Sequence, residues 1–492
     1  MSLISFGFLV LVGLALCVYY IVPMNYRWCI LLIASLVFYV YSGRRAMIIA
    51  AIIVNFSYYM AIQIEKSTDG RKRKIVLSLS VVILLTVLAL IKIGGRIDSL
   101  AGYLIMPMGI SYFSLSIIGY LLDIYWKKDT AERNIGHYLT FVFYFPKIVQ
   151  GPISRHGFLK SQIIAGKRFD YNQVCFGMQL ALWGGFKKIV VADRINRLVS
   201  TVYSNLDIYA SHGGILAIAM LGSAVQLYLD FSGYTDIARG ISQMFGIELE
   251  ENFNHPFFSR SASEFWQRWH MTLSGWFKDY LFLPVSRSQS VKKLSKQMGL
   301  RFGPAARKKT MMIISTAVVW IATGLWHGTG VNYIVWGIYW GGIIIFSELF
   351  DFLPQRINKW LKINTSAPTW ELFRMIRTFM IFVLGKMISA QKSLYDVKMV
   401  LWGIFRNIHL NDISVIYDFG LSKIDFMIVL WGMLFVFMVS LMQEKGISVR
   451  ESIARWNAVP RWMFYSTALS IVLLVGIYGA EYDTSSFAYQ FF

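Results

Sequence analysis

The sequence is short of charge, of acidic residues and of cysteine. Charged residues make up 15% of the 492 residues, against about a quarter in soluble domains, so few polar side chains remain to cover a water-facing surface. The three cysteines lie in apolar stretches without CxxC spacing, which predicts packing roles and implies neither a disulfide framework nor a metal site. Hydrophobic residues reach 56%. The composition argues against a soluble enzyme, a disordered chain and a collagen-like chain, and it predicts a polytopic membrane protein.

Several long stretches of the sequence contain no charged residue. They cover residues 1–26, 28–43, 46–64, 99–122, 311–326, 328–347, 426–443 and 462–480. Because lipid offers no hydrogen bonds to the backbone, such runs should be helices. Together with interrupted candidates they predict an all-α membrane bundle of about 11 transmembrane helices plus re-entrant or interfacial helices. The first run has no basic region or convincing cleavage site and is interpreted as a retained helix.

Basic residues concentrate in three short segments that are interpreted as loops between spans, and this sets the expected orientation. Residues 65–74 hold five Lys or Arg, residues 286–310 hold eight and no acid, and residues 445–461 form a third basic segment. All three are predicted to be cytoplasmic, because Lys and Arg favour that side. The last span then places the C-terminus outside. These segments also account for the net charge of +21, so nucleic-acid binding is not expected.

One histidine lies inside an otherwise uncharged stretch. His327 occurs in ATGLWHGTGVNY, between Met311 and Ser347, with glycines on both sides that allow a local helix break. An ionisable group at membrane depth is costly, so the imidazole should be neutral and should face a cavity or a polar partner. It can be a general base, or it can be a packing residue hydrogen-bonded across helices.

Residues 261–287 combine aromatic and charged side chains. Trp269, Leu273 and Trp276 have helical i, i+4, i+7 spacing. Four polar residues lie opposite them: Arg268, His270, Lys278 and Asp279. The simplest interpretation is an amphipathic helix in the membrane interface, with tryptophan at headgroup depth.

Five motifs in order carry a family resemblance. They are MPMGISYFSL (106–115), FYFPKIVQGPISR (143–155), LDFSGYTDIARG (229–240), SEFWQRWHMTLSGWFKDYLFLP (263–284) and TGLWHG (323–328). His327 follows His270 by 57 residues. The set resembles the membrane-bound O-acyltransferase family, in its bacterial branch of alginate O-acetylation and teichoic acid D-alanyl transfer proteins. The motifs extend over roughly half of the chain.

The resemblance implies a site and a division of the chain. His327 matches the proposed catalytic histidine, and His270, the second candidate catalytic residue, matches the second position of the family signature, nearer the acyl donor. Five further residues are candidates for binding the donor or lining a tunnel: Arg268, Trp269, Trp276, Asp279 and Trp326. The expected parts are N-terminal membrane helices (1–98), a catalytic core around a tunnel and funnel (99–350), and C-terminal membrane helices with an aromatic tail (351–492).

The resemblance also implies a reaction. We expect acetyl-CoA as donor substrate, no bound cofactor or metal, and outward transfer of acetyl for O-acetylation of a surface or exported polysaccharide in the bacterial inner membrane. An extracytoplasmic SGNH-type transferase would complete the transfer. The alternative in the family is D-alanyl transfer to teichoic acid from a carrier-protein thioester. Alternatives from other classes are a transporter or flippase and a non-catalytic scaffold.

The end of the chain, SSFAYQFF, resembles an aromatic C-terminal motif of the same branch. Tyr489 matches the tyrosine proposed there to carry the acyl group transiently. A phenol ester is activated because phenoxide, with a phenol pKa of about 10, is a good leaving group. The other interpretation is a tail that packs against the extracellular mouth.

The remaining ionisable residues are expected to have structural or interfacial roles. Asp230 and Asp236 are interpreted as part of a polar turn that closes the apolar run 213–229, with Asp236 paired to Arg239, although both could line a reaction chamber. The other five histidines have no evident partner in the sequence and are assigned interfacial roles: His137, His156, His212, His255 and His409.

Overall fold

The computed structural model describes residues 3–94, 106–407 and 421–478, and in these ranges the regular structure is helical. One isolated antiparallel β-bridge joins Phe253 and Trp269. The helices of five or more residues, in chain order, are α1 (Phe6–Ile21), α2 (Arg27–Ser42), α3 (Arg44–Lys66), α4 (Gly70–Gly94), α5 (Ile110–Tyr125), α6 (Ile135–Phe143), α7 (His156–Ala165), α8 (Tyr171–Gly185), α9 (Asp193–Ser204), α10 (Gly213–Met244), α11 (Ala262–Arg268), α12 (Met271–Phe277), α13 (Leu283–Arg287), α14 (Gln289–Phe302), α15 (Pro304–His327), α16 (Val331–Leu349), α17 (Phe352–Trp360), α18 (Pro368–Ala390), α19 (Leu394–Arg406), α20 (Lys423–Glu444), α21 (Val449–Ala454) and α22 (Ala458–Val475). Two π-helical turns, Phe186–Ala192 and Lys278–Phe282, follow α8 and α12.

Eight helices in the described ranges are long and apolar enough to cross a membrane. The pair α16 and α17, bent by 62°, would make a ninth span, and α1 and α5 are shorter apolar helices. The all-helical, multi-pass class predicted from the sequence is confirmed. The total of about 11 spans, the tunnel and the side of the C-terminus stay predictions.

Two segments differ from their sequence-based interpretation. Asp230 and Asp236 do not lie in a turn, because α10 continues without a break from Gly213 to Met244. Buried polar partners allow the helix to continue through these carboxylates. The basic segment 286–310 is not a loop either: most of it forms α14, whose N-cap is Ser288, and the first turns of α15.

The described chain divides into two compact units. Unit 1 contains Met1–Asp193, Tyr228–Glu251 and the chain from Ile428, and unit 2 contains Arg194–Leu227 and Asn252–Met427. Both units are discontinuous in sequence and group helices by contact. The three-part division at 98 and 350 therefore stays a prediction.

In unit 1, glycines bring two helix backbones into direct contact. A Cβ atom at Gly184 would lie 2.3 Å from the carbonyl oxygen of Gly233, and a Cβ at Gly240 would lie 2.4 Å from that of Gly177. Each helix has its two glycines seven residues apart, on one face. Small residues are the usual means of close helix packing in membranes, where the hydrophobic effect does not drive association.

Buried ion pairs join the π-helical turn Phe186–Ala192 to α10 in the same unit. The Lys188 ammonium lies 2.5 Å from Asp230 and 2.7 Å from Asp193, and the Lys187 ammonium lies 2.7 Å from Asp236. Both lysine side chains are almost fully buried. Removing one partner of such a pair would leave an uncompensated buried charge.

In unit 2, α15 and α16 form a tight helical hairpin. A Cβ at Gly324 would lie 2.6 Å from the Tyr333 carbonyl oxygen, and one at Gly337 would lie 2.5 Å from the Trp320 carbonyl oxygen. These distances leave no room for any side chain at either position. The hairpin therefore has one register, and that register determines which residues of α16 face the end of α15.

We predict that Gly337→Ala destabilises the protein, because the added methyl group must displace the α15 backbone at Trp320. Overpacking of this kind costs about 1–3 kcal/mol. Gly342→Ala, on the same helix, is the matched control, since nothing lies within 4 Å of its Cβ position. The measurement is the thermal midpoint of the detergent-solubilised protein. Equal midpoints for the two variants would contradict the prediction.

Candidate active site

His327 is the last residue of α15 and is held between two indole rings. The helix ends there because Gly328 is extended, with its N–H bonded to the Gly324 carbonyl. The imidazole is 5% exposed and meets Trp326 and Trp336 edge-to-face, with ring centroids 4.8 Å apart in both cases. A Cβ at Gly328 would penetrate the Tyr333 ring, so the turn into α16 is also tight. The position of the imidazole is therefore determined by packing on both helices.

His270 occupies the junction between α11 and α12. Its backbone is left-handed, with φ of 45°, a conformation that residues other than glycine rarely adopt. The backbone of Asn252 and Asn254 accounts for this geometry, because Met271 N–H donates to the Asn252 carbonyl at 3.0 Å and Asn254 N–H donates to the Arg268 carbonyl at 2.9 Å. A strained backbone kept in place by its surroundings is common at functional sites.

The hydrogen bonds of the Asn252 side chain indicate which ring nitrogen of His270 carries the proton. Asn252 Oδ1 accepts hydrogen bonds from the backbone N–H and the hydroxyl of Thr272, at 3.2 and 2.6 Å. Because a backbone N–H can only donate, the atom facing it must be the amide oxygen. His270 Nδ1 lies 3.4 Å from the same oxygen and must donate to it. The neutral imidazole therefore has its proton on Nδ1 and its lone pair on Nε2.

Burial keeps this imidazole neutral. His270 is 1% exposed, and its removal from solvent lowers its pKa from 6.5 to about 3. A group with so low a pKa is a poor general base at neutral pH, because the best catalytic pKa lies near the working pH. His270 is thus suited to accepting a hydrogen bond through Nε2.

The structure brings the two sequence-predicted histidines to one indole ring. The centroid of Trp326 lies 4.8 Å from that of His327 and 6.5 Å from that of His270. Three elements that are distant in sequence thus meet at one place: the segment after α11, the C-terminal end of α15 and the first turns of α16. The site thus places both histidines near one buried tryptophan.

Four other predicted site residues lie on α11, on α12 or in the segments that follow these helices. Arg268 forms an ion pair with Glu264 at 3.0 Å, within α11. Trp269 is buried and packs against Phe265 and Phe382. Trp276 packs on Phe277 and Tyr280, whereas Asp279 lies in the half-buried π-helical turn that follows α12. Tyr489 and His409 lie outside the described residues.

An aromatic cluster forms one wall beside His327. Trp266 contacts Trp320 at 4.7 Å and Trp340 at 5.0 Å between ring centroids, and Trp336 joins the cluster to His327. Sequence reasoning missed Trp336, Trp340 and Asn252. The i, i+4 spacing of Trp336 and Trp340 could have indicated a common helix face. Nothing in the sequence could have connected Asn252 to His270, which lies 18 residues away.

The expectation for His156 is corrected. His156 has a partner: its Nδ1 lies 2.7 Å from Asp129 Oδ2 in unit 1, and the residue is 2% exposed. The expected pair of Asp236 and Arg239 is present at 3.8 Å, and Lys187 lies closer to the same carboxylate, at 2.7 Å. The ion pairs of Asp230 and Asp236 favour the structural interpretation of both carboxylates over the chamber-lining one.

We predict that His270 makes the protein less stable in acid. Its pKa is lower in the folded chain than in the unfolded chain, so the unfolded chain binds the extra proton, and stability decreases as the pH falls from 6.5 toward 3. Between pH 7 and pH 5 this contribution is about 2 kcal/mol. His270→Asn should reduce the loss of thermal stability between these pH values, whereas the control His212→Ala should not. An equal loss in wild type and His270→Asn would contradict the assignment.

Comparison with known proteins identifies the family to which the chain belongs. The model of the membrane-bound O-acyltransferase family (MBOAT) matches residues 132–384, which include both histidines. The chain is 28% identical to a Pseudomonas fluorescens protein named probable alginate O-acetylase AlgI, over 77% of this chain and 70% of that one. It is 27% identical to the peptidoglycan O-acetyltransferase of Helicobacter pylori, over 70% of each chain, and 30% identical to the teichoic acid D-alanyltransferase of Bacillus subtilis, over 53% of this chain and 63% of that one.

These findings favour an enzyme over the transporter, flippase and scaffold alternatives. The family match covers about half of the chain, and the relatives above are all named for acyl transfer. The apolar helices make it a multi-pass membrane protein. The chain is a membrane O-acyltransferase and belongs to the membrane-bound O-acyltransferase family.

Proposed function

We propose that this enzyme moves an acetyl group from cytoplasmic acetyl-CoA across the inner membrane for O-acetylation of a surface or exported polysaccharide. The relatives named for O-acetylation align over 70–77% of this chain, whereas the D-alanyltransferase of Bacillus subtilis aligns over 53%. The wider agreement favours acetyl over D-alanyl. D-alanyl transfer from a carrier-protein thioester is the second candidate, because that relative has 30% identity over the part it shares.

The mechanistic proposal rests on one observation: two histidines with different surroundings lie near Trp326. His327 accepts the proton of an attacking hydroxyl, the hydroxyl oxygen bonds to the thioester carbonyl carbon, and the carbon–sulfur bond breaks as the thiolate takes the proton back. The carbonyls at the end of α15 carry partial negative charge, which stabilises the imidazolium formed during the step. Ester and free thiol are the products, and no other reactant is needed.

His270 binds rather than transfers protons in this scheme. With its Nδ1 proton on Asn252, it presents Nε2 as an acceptor for an N–H of the donor's pantetheine arm. The remaining candidates, Arg268, Trp269, Trp276, Asp279 and Trp326, would shape the donor side. The tryptophans near His327 exclude water, which limits hydrolysis of the thioester.

The hydroxyl that attacks first is proposed to be that of Tyr489. The resulting phenol ester is reactive enough to pass acetyl on, and an extracytoplasmic SGNH-type transferase would deliver it to the polysaccharide. The alternative is direct attack by the acceptor, with the aromatic tail packed against the mouth.

We predict that His327→Ala removes base-labile acetate from the cell surface. General acid–base catalysis contributes about 10²–10⁴-fold, so the variant should be indistinguishable from cells without the protein. His212→Ala, a histidine outside the site, is the matched control and should retain acetate. Loss of D-alanine in place of acetate would select the second candidate. No change in either group at matched membrane levels would refute surface acylation through His327.

We predict that Tyr489→Phe also abolishes surface acetate while the protein still inserts. The substitution keeps the aromatic ring and removes the nucleophilic oxygen, so it separates the relay from simple packing. The second measurement compares wild type and Tyr489→Phe as purified proteins: their consumption of acetyl-CoA is measured with and without an added soluble sugar acceptor. Undiminished surface acetate in Tyr489→Phe would show that the tail acts without a covalent step.

A further inference from the structure

Unit 1 contains a cleft that the proposed acyl transfer does not use. It lies between α8 with its π-helical turn, α20, α21 and α22, and it encloses about 210 Å³ that no described residue fills. Most of its wall is aromatic or aliphatic. The wall includes Trp183, Phe186, Phe435, Phe464 and Ile471. Such a wall matches a hydrocarbon chain and offers almost nothing to a polar solute.

One end of the cleft is polar. Arg450, on α21, donates hydrogen bonds to the Phe176 carbonyl at 3.3 Å and to Gln243 Oε1 at 3.2 Å. Both acceptors are neutral, and in the described part of the chain no carboxylate lies within ion-pair distance of this guanidinium. Arg450 is therefore held in position with its charge uncompensated by direct contact.

The side-chain amide of Gln179, at the same end of the cleft, has one atom without a hydrogen-bond partner among the described residues. Gln179 Nε2 donates to the Tyr465 hydroxyl at 2.8 Å, but its Oε1 is buried and has no hydrogen-bond partner among the described residues. Exchanging the amide oxygen and nitrogen would only transfer the deficit to the nitrogen. A buried, unsatisfied amide atom destabilises the folded protein, and a ligand that donates a hydrogen bond to it would remove that cost.

The polar and apolar ends are separated along the helices. Phe176 and Gln179 lie on α8, and Phe186 begins the π-helical turn that follows it. The seven-residue separation of Gln179 and Phe186 corresponds to roughly 10 Å along the helix. On α20, which ends near Arg450, the order is reversed: Phe435 packs against Trp183 and Phe186, with centroids 5.7 Å apart. The cleft is thus amphipathic along its length.

The surroundings match a lipid. The outer faces of α20 and α22 carry exposed apolar side chains such as Trp431 and Leu474, so an acyl chain can approach without crossing polar surface. The connection between the two helices carries Lys445, Arg450 and Arg455. Basic pockets between membrane helices attract anionic headgroups.

We propose that this cleft binds one anionic phospholipid. One acyl chain lies among the rings of α8, α20 and α22, the phosphate accepts hydrogen bonds from Arg450, and a headgroup hydroxyl donates to Gln179 Oε1. A zwitterionic lipid with a choline headgroup lacks the donor, and inorganic phosphate lacks the chain. The headgroup therefore distinguishes the proposed ligand from a choline lipid, and the acyl chain distinguishes it from inorganic phosphate.

Native mass spectrometry of the delipidated full-length protein tests this. Dioleoyl phosphatidylglycerol is the probe, with dioleoyl phosphatidylcholine and inorganic phosphate as comparisons. We expect one tightly bound phosphatidylglycerol and about tenfold weaker binding in Arg450→Gln, since a charged hydrogen bond is lost. Arg455→Gln, an exposed arginine next to α21, is the matched control and should bind as wild type does.

A second pair of variants tests the apolar end. Ala468 lines the cleft on α22, so Ala468→Phe should fill it and weaken binding of phosphatidylglycerol, whereas Leu469→Phe on the exposed face should not. Three results would overturn the proposal: unchanged affinity in both Arg450→Gln and Ala468→Phe, equal affinity for phosphatidylcholine, or saturation of the site by inorganic phosphate. Because the readout is lipid binding, failure of this proposal leaves the proposed acetyl transfer untouched, and the reverse also holds.

Discussion

The close approach of α15 and α16 is the constraint on which the candidate site depends. Gly324 and Gly337 face each other across the hairpin: a Cβ atom added at either glycine would lie 3.4 Å from the Cα of the other and closer still to a carbonyl of the opposite helix. This contact places Trp336 against His327 and extends the tryptophan cluster to Trp320 and Trp340. Packed interiors respond discretely to a change in volume, so the imidazole cannot shift gradually if the register is disturbed. The geometry of the candidate site thus depends on two residues that have no side chain.

The two histidines differ in their surroundings, and that difference separates their proposed roles. His270 is deeply buried, its tautomer is determined by Asn252, and its pKa is too low for proton transfer at neutral pH. His327 lies at a helix C-terminus, where the backbone favours positive charge. A site that needs one proton acceptor and one neutral hydrogen-bond acceptor can obtain both from the same amino acid by changing only its environment. The five motifs could not reveal this difference, because it depends on groups that are distant in sequence.

The fold class and the two candidate histidines could be predicted from the sequence, but the contacts that position these histidines could not. Charge-free runs predict helices because lipid leaves the backbone no alternative, and the signature around His270 and His327 is local in sequence. The α10 helix was misread because its polar residues suggested a turn, whereas Lys187 and Lys188 neutralise Asp236 and Asp230 in the interior. His156 was misread for the same reason, since its partner Asp129 precedes it by 27 residues. In each case the structural role of a polar residue depends on a partner that becomes its neighbour only in the folded chain.

The same reasoning distinguishes structural charges from Arg450. Lys187, Lys188 and Arg194 each have a carboxylate within 2.9 Å, so these buried charges are satisfied inside the protein and call for no ligand. Arg450 is held by neutral acceptors at the polar end of an apolar cleft. Its environment differs, because no described carboxylate contacts the guanidinium directly, and Asp236, Glu251 and Glu451 act on it only from a longer distance. A lipid in that position would also cover part of α22, in which Val472 is the one buried residue. Because α22 precedes Tyr489 in the sequence, a lipid in the cleft would stabilise the described helix nearest to the proposed acyl carrier.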